Sequence, residues 1–128
     1  MTTTATRITA IGTVRIPVTN QDRAFAFYRD VLGFETRVDA AFDGSSRWLE
    51  VAPAGAQTSI ALVPESPDDP SGIPSGISLT TLDAAADRDQ LASQGVAVGE
   101  LLVQPIPMFT FRDPDGNTLR VVQRPPGA

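Results

Sequence analysis

The sequence of 128 residues contains no histidine, no cysteine and no lysine. Without histidine there is no imidazole for general acid–base catalysis, and without cysteine there is neither a thiolate nucleophile nor a disulfide. Without lysine there is no side-chain amine for Schiff-base chemistry. The same absences remove the usual ligands of zinc, copper and non-haem iron, so a metal site would depend on carboxylates, which suit hard cations such as Mg²⁺.

Long apolar runs and basic clusters are also missing. No run approaches the roughly 18–20 apolar residues that cross a bilayer, and the first seven residues, MTTTATR, carry no apolar stretch of signal-peptide type. We therefore expect a cytoplasmic protein with no membrane partner. The ten basic residues are all arginine, and the fifteen acidic residues outnumber them, for a net charge of −5. They form no basic stripe, so we expect no nucleic-acid partner.

What the sequence does contain is a weak internal repeat, in which each half reads strand–helix–strand–strand–strand. The strands are predicted at residues 8–18, 34–42, 46–53 and 57–64 in the first half and at 76–82, 96–104, 107–114 and 117–123 in the second. Residues 21–32 and 83–95 have helical spacing. Neither half has enough core to fold alone, so we expect a single domain over residues 1–128. Its parts are a first module at about 8–64, a proline-rich linker at 64–75 and a second module at about 76–123.

Local signals bound the helices and one turn. Asn20 is predicted to cap the first helix and Gly33 to end it. Residues 113–117, DPDGN, begin like a calcium loop, but the glycine comes two residues too early for one. A tight turn is predicted instead, because Pro114 fixes φ and Gly116 permits a positive φ.

Two stretches, VTNQDRAFAFYRDVLGFE (18–35) and FRDPDGNTLRVVQ (111–123), resemble the vicinal oxygen chelate superfamily, which includes glyoxalase I, extradiol dioxygenases and bleomycin-resistance proteins. The first is similar to the family's D-x-x-x-A-x-x-F-Y-x-x-x-L-G-F segment, with Asn20 in place of the usual Asp. The second contains the family's D-P-D-G-N turn. Together with the repeat, the resemblance covers nearly the whole chain. It implies an α+β fold in which two tandem βαβββ modules form a cupped, partly closed mixed sheet.

The resemblance also locates the positions at which metal-dependent members hold their ion. Two histidines and two glutamates of such members fall on Thr13, Gly76, Arg120 and a position near Ile60. Threonine is a weak neutral ligand, glycine offers only backbone, isoleucine offers nothing, and arginine is a permanent cation. We therefore expect no metal and no other cofactor, and we do not expect metal-dependent glyoxalase or dioxygenase activity.

Strand alternation predicts which side chains line the cup. The ligand-binding candidates are Thr13, Arg15, Trp48, Glu50, Ile60, Gly76, Ser78, Met108, Arg120 and Val122. Trp48 and Met108 would also suit the core, and Arg15 would also suit a solvated strand position. Arg120 lies among apolar residues and needs an anionic partner if it is buried, which either a ligand or an internal carboxylate such as Glu50 would supply.

Three classes of function fit these expectations. The absence of the common catalytic side chains favours a metal-independent binding protein that resembles bleomycin-resistance members and sequesters an antibiotic or a metabolite in the grooves of a homodimer. The alternative is a metal-free lyase, isomerase or hydrolase that uses Glu50 or a bound water, with Arg15 and Arg120 as electrostatic stabilisers. A third possibility is an interaction module whose own side chains fill the cup. The sequence does not identify catalytic residues.

Overall fold

The computed structural model describes residues 5–44 and 46–124, apart from the side chains of residues 42 and 43. The strands are β1 Thr13–Val18, β2 Glu35–Asp43, β3 Ser46–Ala52, β4 Ser59–Pro64, β5 Pro74–Thr81, β6 Met108–Arg112 and β7 Thr118–Gln123. The helices are α1 Gln21–Ala26, which continues into a π-helical turn Phe27–Val31, and α2 Ala84–Ser93. No helix in these residues is long and apolar enough to span a membrane.

The strands form two open mixed sheets. The first has four strands in the order β1-β4-β3-β2, and the second has three in the order β5-β7-β6. In each sheet the first strand of the module runs parallel to its last strand, and the other pairs are antiparallel. The predicted α+β fold of two tandem modules is confirmed, with the two sheets unclosed.

The first helix is capped by Asn20 as predicted, and the second is capped in the same way by Asp83. The side chain of Asn20 accepts a hydrogen bond from Arg23 N at 3.0 Å, and the side chain of Asp83 accepts one from Ala86 N at 3.0 Å. Each bond satisfies a backbone donor that the first helical turn leaves free. Gly33 follows the first helix with a φ of 78°, which a residue with a Cβ rarely adopts.

The prediction of a strand over residues 96–104 is wrong. That segment lies beside β6 but pairs with it only through isolated bridges, Val98 to Phe111 and Leu102 to Met108. Gly99 lies so close to β6 that a Cβ there would be 2.7 Å from Thr110 Oγ1. The register changes by one residue between the two bridges, so a continuous ladder does not form.

One hydrophobic core serves both modules. The first sheet contributes one face of β1, β3 and β4, and the second contributes one face of β6 and β7. The buried strand residues are Ile16, Val18, Leu49, Val51, Ile60, Leu62, Phe109, Phe111, Leu119 and Val121. The rings of Phe27 and Phe111 lie 6.3 Å apart across the module boundary. Burying a side chain of this size contributes about 1.5–3 kcal/mol, so the shared core fixes how the modules sit together.

The turn at residues 113–117 is a buried junction between the modules. The Tyr28 hydroxyl donates to Asp113 Oδ2 at 2.9 Å, and Asn117 Nδ2 donates to the same oxygen at 3.1 Å and to Pro17 O at 2.9 Å. Gly116 adopts a φ of 81°, as the turn requires. Burial, and then the neighbouring Asp113 carboxylate, raise the pKa of Tyr28 well above its usual range, so its hydroxyl remains a donor. The two motifs that carry the family resemblance therefore contact each other.

Candidate ligand-binding site

The first sheet presents a polar face on the side away from the core, which we call the Glu50 face. It consists of Thr13, Arg15, Trp48, Glu50, Ser59 and Ala61. The strand register places Thr13 beside Ser59, and Ala61 between Arg15 and Glu50. Because neighbouring residues in register share a face, these side chains lie together on one surface.

Glu50 is held by three side-chain donors. Ser59 Oγ donates to Oε1 at 2.5 Å, Trp48 Nε1 donates to Oε2 at 2.6 Å, and Thr13 Oγ1 lies 3.5 Å from Oε1. The hydrogen bond from Ser59, followed by that from Trp48, lowers the pKa of Glu50. The carboxylate is therefore ionised at neutral pH and fixed in orientation. A carboxylate has about four acceptor sites, so Glu50 retains capacity for a donor on a ligand.

Arg15 does not contribute a free cation to this face. Its guanidinium pairs with the carboxylate of Asp69, which lies in the linker between the modules. The arginine side chain is 58% exposed, so the pair is a surface ion pair of small energetic value. Arg15 therefore ties the linker to the edge of the Glu50 face.

Ile60 is a correction to the predicted site. It is buried in the core at 4% exposure, and Ser59 and Ala61 occupy the Glu50 face in its place. Alternate residues of a strand face opposite sides, so a prediction that is wrong by one residue exchanges the two faces. Sequence reasoning missed Ser59, although the apolar pair Ile60 and Leu62 was a signal that these residues face the core.

The second sheet presents a corresponding surface, the Arg120 face. It consists of Gly76, Ser78, Thr80, Met108, Thr110, Arg112, Thr118, Arg120 and Val122. Ser78 and Thr110 are the register partners of Arg120 on its two sides, and Met108 is the partner of Val122. The predicted candidates of this module thus lie on one face. Val122 is buried on that face at 7% exposure, and Met108 is half-buried.

Arg120 is exposed and is not paired with Glu50. Its Nη1 lies 3.5 Å from Met108 Sδ. Among the side chains that the structure describes, no carboxylate lies within ion-pair distance of Arg120. The sequence left open whether Arg120 binds a ligand anion or an internal carboxylate such as Glu50. Glu50 is not that partner, because its carboxylate accepts hydrogen bonds from Trp48 and Ser59 instead.

Open space adjoins Arg120. A cleft of about 320 Å³ is lined by Pro74 to Ser78, Thr110, Thr118, Leu119 and Arg120. Gly76 lies in this cleft with a φ of 74°, at a bulge between Pro74 and Ser78. A second cleft of about 190 Å³ brings Met108 and Arg120 together with Glu100 and Leu102. Neither cleft is lined by a first-module residue, so the Glu50 face of the same chain does not close them.

The residues at the family's metal positions do not fit a divalent metal. Arg120 would repel the ion, Gly76 has no side chain, and Ile60 faces the core. Nor does any group of three or more carboxylates suited to an ion occur in residues 5–44 and 46–124.

Comparison with known proteins identifies the family of this chain. The sequence profile of the glyoxalase/bleomycin resistance protein/dioxygenase superfamily matches residues 10–121. The chain is 36% identical to TnmS3, an antibiotic binding protein from Streptomyces sp. CB03234, with a TM-score of 0.83 and 94% of this chain and 99% of that one covered.

Two further proteins are similar to this chain over most of their length. The chain is 33% identical to a superfamily member from Sphaerobacter thermophilus DSM 20745, with a TM-score of 0.83 and coverage of 91% of this chain and 98% of that one. It is 31% identical to the protein YetH of Bacillus subtilis (strain 168) over 116 residues, which is 86% of this chain and 94% of that protein. The chain belongs to the glyoxalase/bleomycin resistance protein/dioxygenase superfamily.

Proposed function

We propose that this protein is a metal-independent binding protein for a small organic molecule, an antibiotic or a metabolite, which it holds without converting it. The observation that carries the proposal is the Glu50 cluster, in which Trp48 and Ser59 hold a carboxylate on an accessible face. A polar group fixed before the ligand arrives lowers the entropic cost of binding. The antibiotic-binding function of TnmS3, which shares 36% identity with this chain, supports the same proposal.

The chemistry of the two faces favours binding over catalysis. A general acid or base works best with a pKa near the operating pH, and the donors around Glu50 move its pKa away from neutrality. Arg120 remains charged at every physiological pH and takes no part in proton transfer. Metal independence rests on the unsuitable residues at the family's metal positions, above all on the cation at Arg120.

We further propose that the ligand binds in a homodimer, between the Glu50 face of one copy and the Arg120 face of the other. Each face alone is open, and the clefts at Arg120 contain no first-module residue. A two-fold dimer would use the same pair of faces twice, giving two equivalent sites. The opposite charges of Glu50 and Arg120 make the two faces complementary.

A thermal-shift screen tests the binding proposal. Purified protein is heated with a panel of antibiotics, bleomycin included, and each compound that raises the Tm is recovered and analysed by mass spectrometry. We expect at least one compound to stabilise the protein and to be recovered unchanged. Conversion of the compound, lost in Glu50→Gln, would establish the enzymatic alternative. A stoichiometric transition metal in the purified protein would overturn the claim of metal independence.

Subunit mixing tests where the site lies. Glu50→Gln and Arg120→Gln each disable both sites of a homodimer, but a mixed dimer contains one site with an intact Glu50 and an intact Arg120. If half of the dimers are mixed, about one quarter of all sites regain full affinity. The measurement is calorimetric titration of the panel compound into the remixed variants. No recovery after verified subunit exchange would place the site within one chain.

A further inference from the structure

Arg112 and Arg120 lie on the Arg120 face, and neither has an acidic partner among the described side chains. Five arginines form ion pairs with carboxylates, and another donates to a backbone carbonyl; these are Arg15, Arg23, Arg29, Arg37, Arg47 and Arg88. Arg112 and Arg120 are exposed, and no carboxylate among the described side chains lies within ion-pair distance of either. The Arg120 face therefore carries two unpaired arginines in a protein whose net charge is −5, although Glu100 lines one of the clefts beside Arg120.

The strand register brings these two arginines together. Thr110 is the partner of Arg120, and Arg112 is the partner of Thr118, so the arginines are diagonal neighbours on adjacent antiparallel strands. Diagonal neighbours on one face are about 7–8 Å apart at their backbones. Arg120 Nη1 lies beside Met108 Sδ, on the side of Thr110 away from Arg112. The Arg120 side chain must therefore turn toward Thr118 for the two guanidinium groups to reach a common point, and an arginine side chain is long enough to do so.

Hydroxyl-bearing residues flank the two arginines. Ser78 is the partner of Arg120 on the other side, and Thr110 and Thr118 separate the two arginines. The 320 Å³ cleft at Arg120 and a neighbouring cleft of about 360 Å³ at Arg112 share Thr110 and Thr118 as walls. Two cationic forks and three hydroxyl groups thus line adjoining clefts, and all of them are able to donate hydrogen bonds.

We propose that Arg120 and Arg112, with the hydroxyls of Ser78, Thr110 and Thr118, form a subsite for an oxyanion of the ligand, a carboxylate or a phosphate group. The planar guanidinium matches both groups with two parallel hydrogen bonds. An oxyanion between the arginines also removes the repulsion between two like charges on one face. The inference rests on the proposed function, since it assigns the ligand chemistry that one half of the composite site accepts.

Arginine-detected NMR provides the test. The Nε–Hε signals of the labelled protein are followed while benzoate, phenyl phosphate or the neutral analogue benzamide is added. We expect saturable shifts at Arg120 and Arg112 with benzoate, phenyl phosphate or both, and none with benzamide. The two anions distinguish a carboxylate subsite from a phosphate subsite. Added NaCl should weaken the binding, because the pair is exposed to screening.

Matched variants test whether Arg120 and Arg112 bind the anion. Arg120→Gln is expected to raise the Kd of the bound anion by at least about 10-fold, and Arg112→Gln by at least about 3-fold. Arg29→Gln removes the same charge from the first helix, where the arginine pairs with Asp30, and is expected to leave the Kd within a factor of about two. Equal weakening in all three variants would reduce the effect to net charge and overturn the proposal, as would equally tight binding of benzamide.

The outcome is separable from that of the antibiotic screen. If a panel compound binds and keeps its affinity in Arg120→Gln and Arg112→Gln, the oxyanion subsite is wrong and the binding function stands. If benzoate or phenyl phosphate titrates Arg120 while no panel compound binds, the subsite stands and the antibiotic assignment falls. If neither anion shifts the NMR signals of Arg120 or Arg112 at concentrations up to its solubility limit, the proposed subsite is wrong, whatever the result of the antibiotic screen.

Discussion

Removing the Tyr28 hydroxyl tests the buried junction between the modules. Tyr28→Phe keeps the ring and deletes the donor that lies 2.9 Å from Asp113 Oδ2, leaving Asn117 Nδ2 at 3.1 Å as the remaining side-chain donor to that oxygen. Tyr28 is 0% exposed, so solvent does not reach the vacated position. A hydrogen bond to a charged group contributes about 1.5–3 kcal/mol, and we expect Tyr28→Phe to lower the free energy of unfolding by that amount.

Urea denaturation at fixed protein concentration measures the loss, and a thermal scan should show a Tm lower by roughly 6–12 °C for a chain of this size. Thr58→Val is the matched control, because it also removes one hydroxyl hydrogen bond, at 2.7 Å to Ile11 O, but in a partly exposed position. We expect it to cost less than about 1 kcal/mol. A Tyr28→Phe variant within about 0.5 kcal/mol of the wild type would refute the view that this bond secures Asp113.

Three further predictions concern the site and its surroundings. Ile60→Ala should cost about 2–5 kcal/mol in urea denaturation, because Ile60 is buried in the core at 4% exposure. Ser59→Ala, which removes a buried hydroxyl that donates to the Glu50 carboxylate, should cost about 1.5–3 kcal/mol. Gly76→Ala should cost about 1–2 kcal/mol from its φ of 74° alone, since nothing lies within 4 Å of the added Cβ, whereas Gly12→Ala, equally open but without a positive φ, should be neutral or slightly stabilising. The lowered pKa of Glu50 implies stability that is present above the unfolded-state pKa and is lost as pH falls through the folded-state value. The wild type should therefore lose more stability than Glu50→Gln on acidification below the ordinary glutamate range, and parallel curves would contradict this.

The fold was predictable because its signals are local and repeated. Asn20 and Asp83 cap their helices with side-chain hydrogen bonds that any sequence reader expects at those positions. The motifs around Tyr28 and Asp113 are recognisable because each supplies one partner of a single buried hydrogen bond. Residues that satisfy one another at a junction leave little freedom for substitution, so their spacing identifies the fold.

The site was harder to predict because it depends on strand register. The register of β4 decides which of its side chains face the core. Ser59 and Ala61 lie on the Glu50 face and Ile60 lies in the core, so a prediction that was wrong by one residue exchanged the two sets. The segment at 96–104 has the alternation of a strand, but its register with β6 changes by one residue between its two bridges, so no regular ladder forms. Both errors come from contacts with a neighbouring strand, which a periodic pattern in one segment does not contain.

Arg120 shows how one fold position can change the chemistry that a site accepts. Its side chain projects from the middle of the last strand, between Ser78 and Thr110, at the position where the family resemblance expects a glutamate that binds metal. A carboxylate there attracts a cation, whereas a guanidinium attracts an oxyanion and donates hydrogen bonds to it. The strand fixes where the side chain at position 120 starts, while the sign of its charge decides which ligand group it attracts. Arg112, the diagonal neighbour of Arg120, is a second cation that has no carboxylate partner among the described side chains. The positive charge of this face is therefore not confined to one side chain.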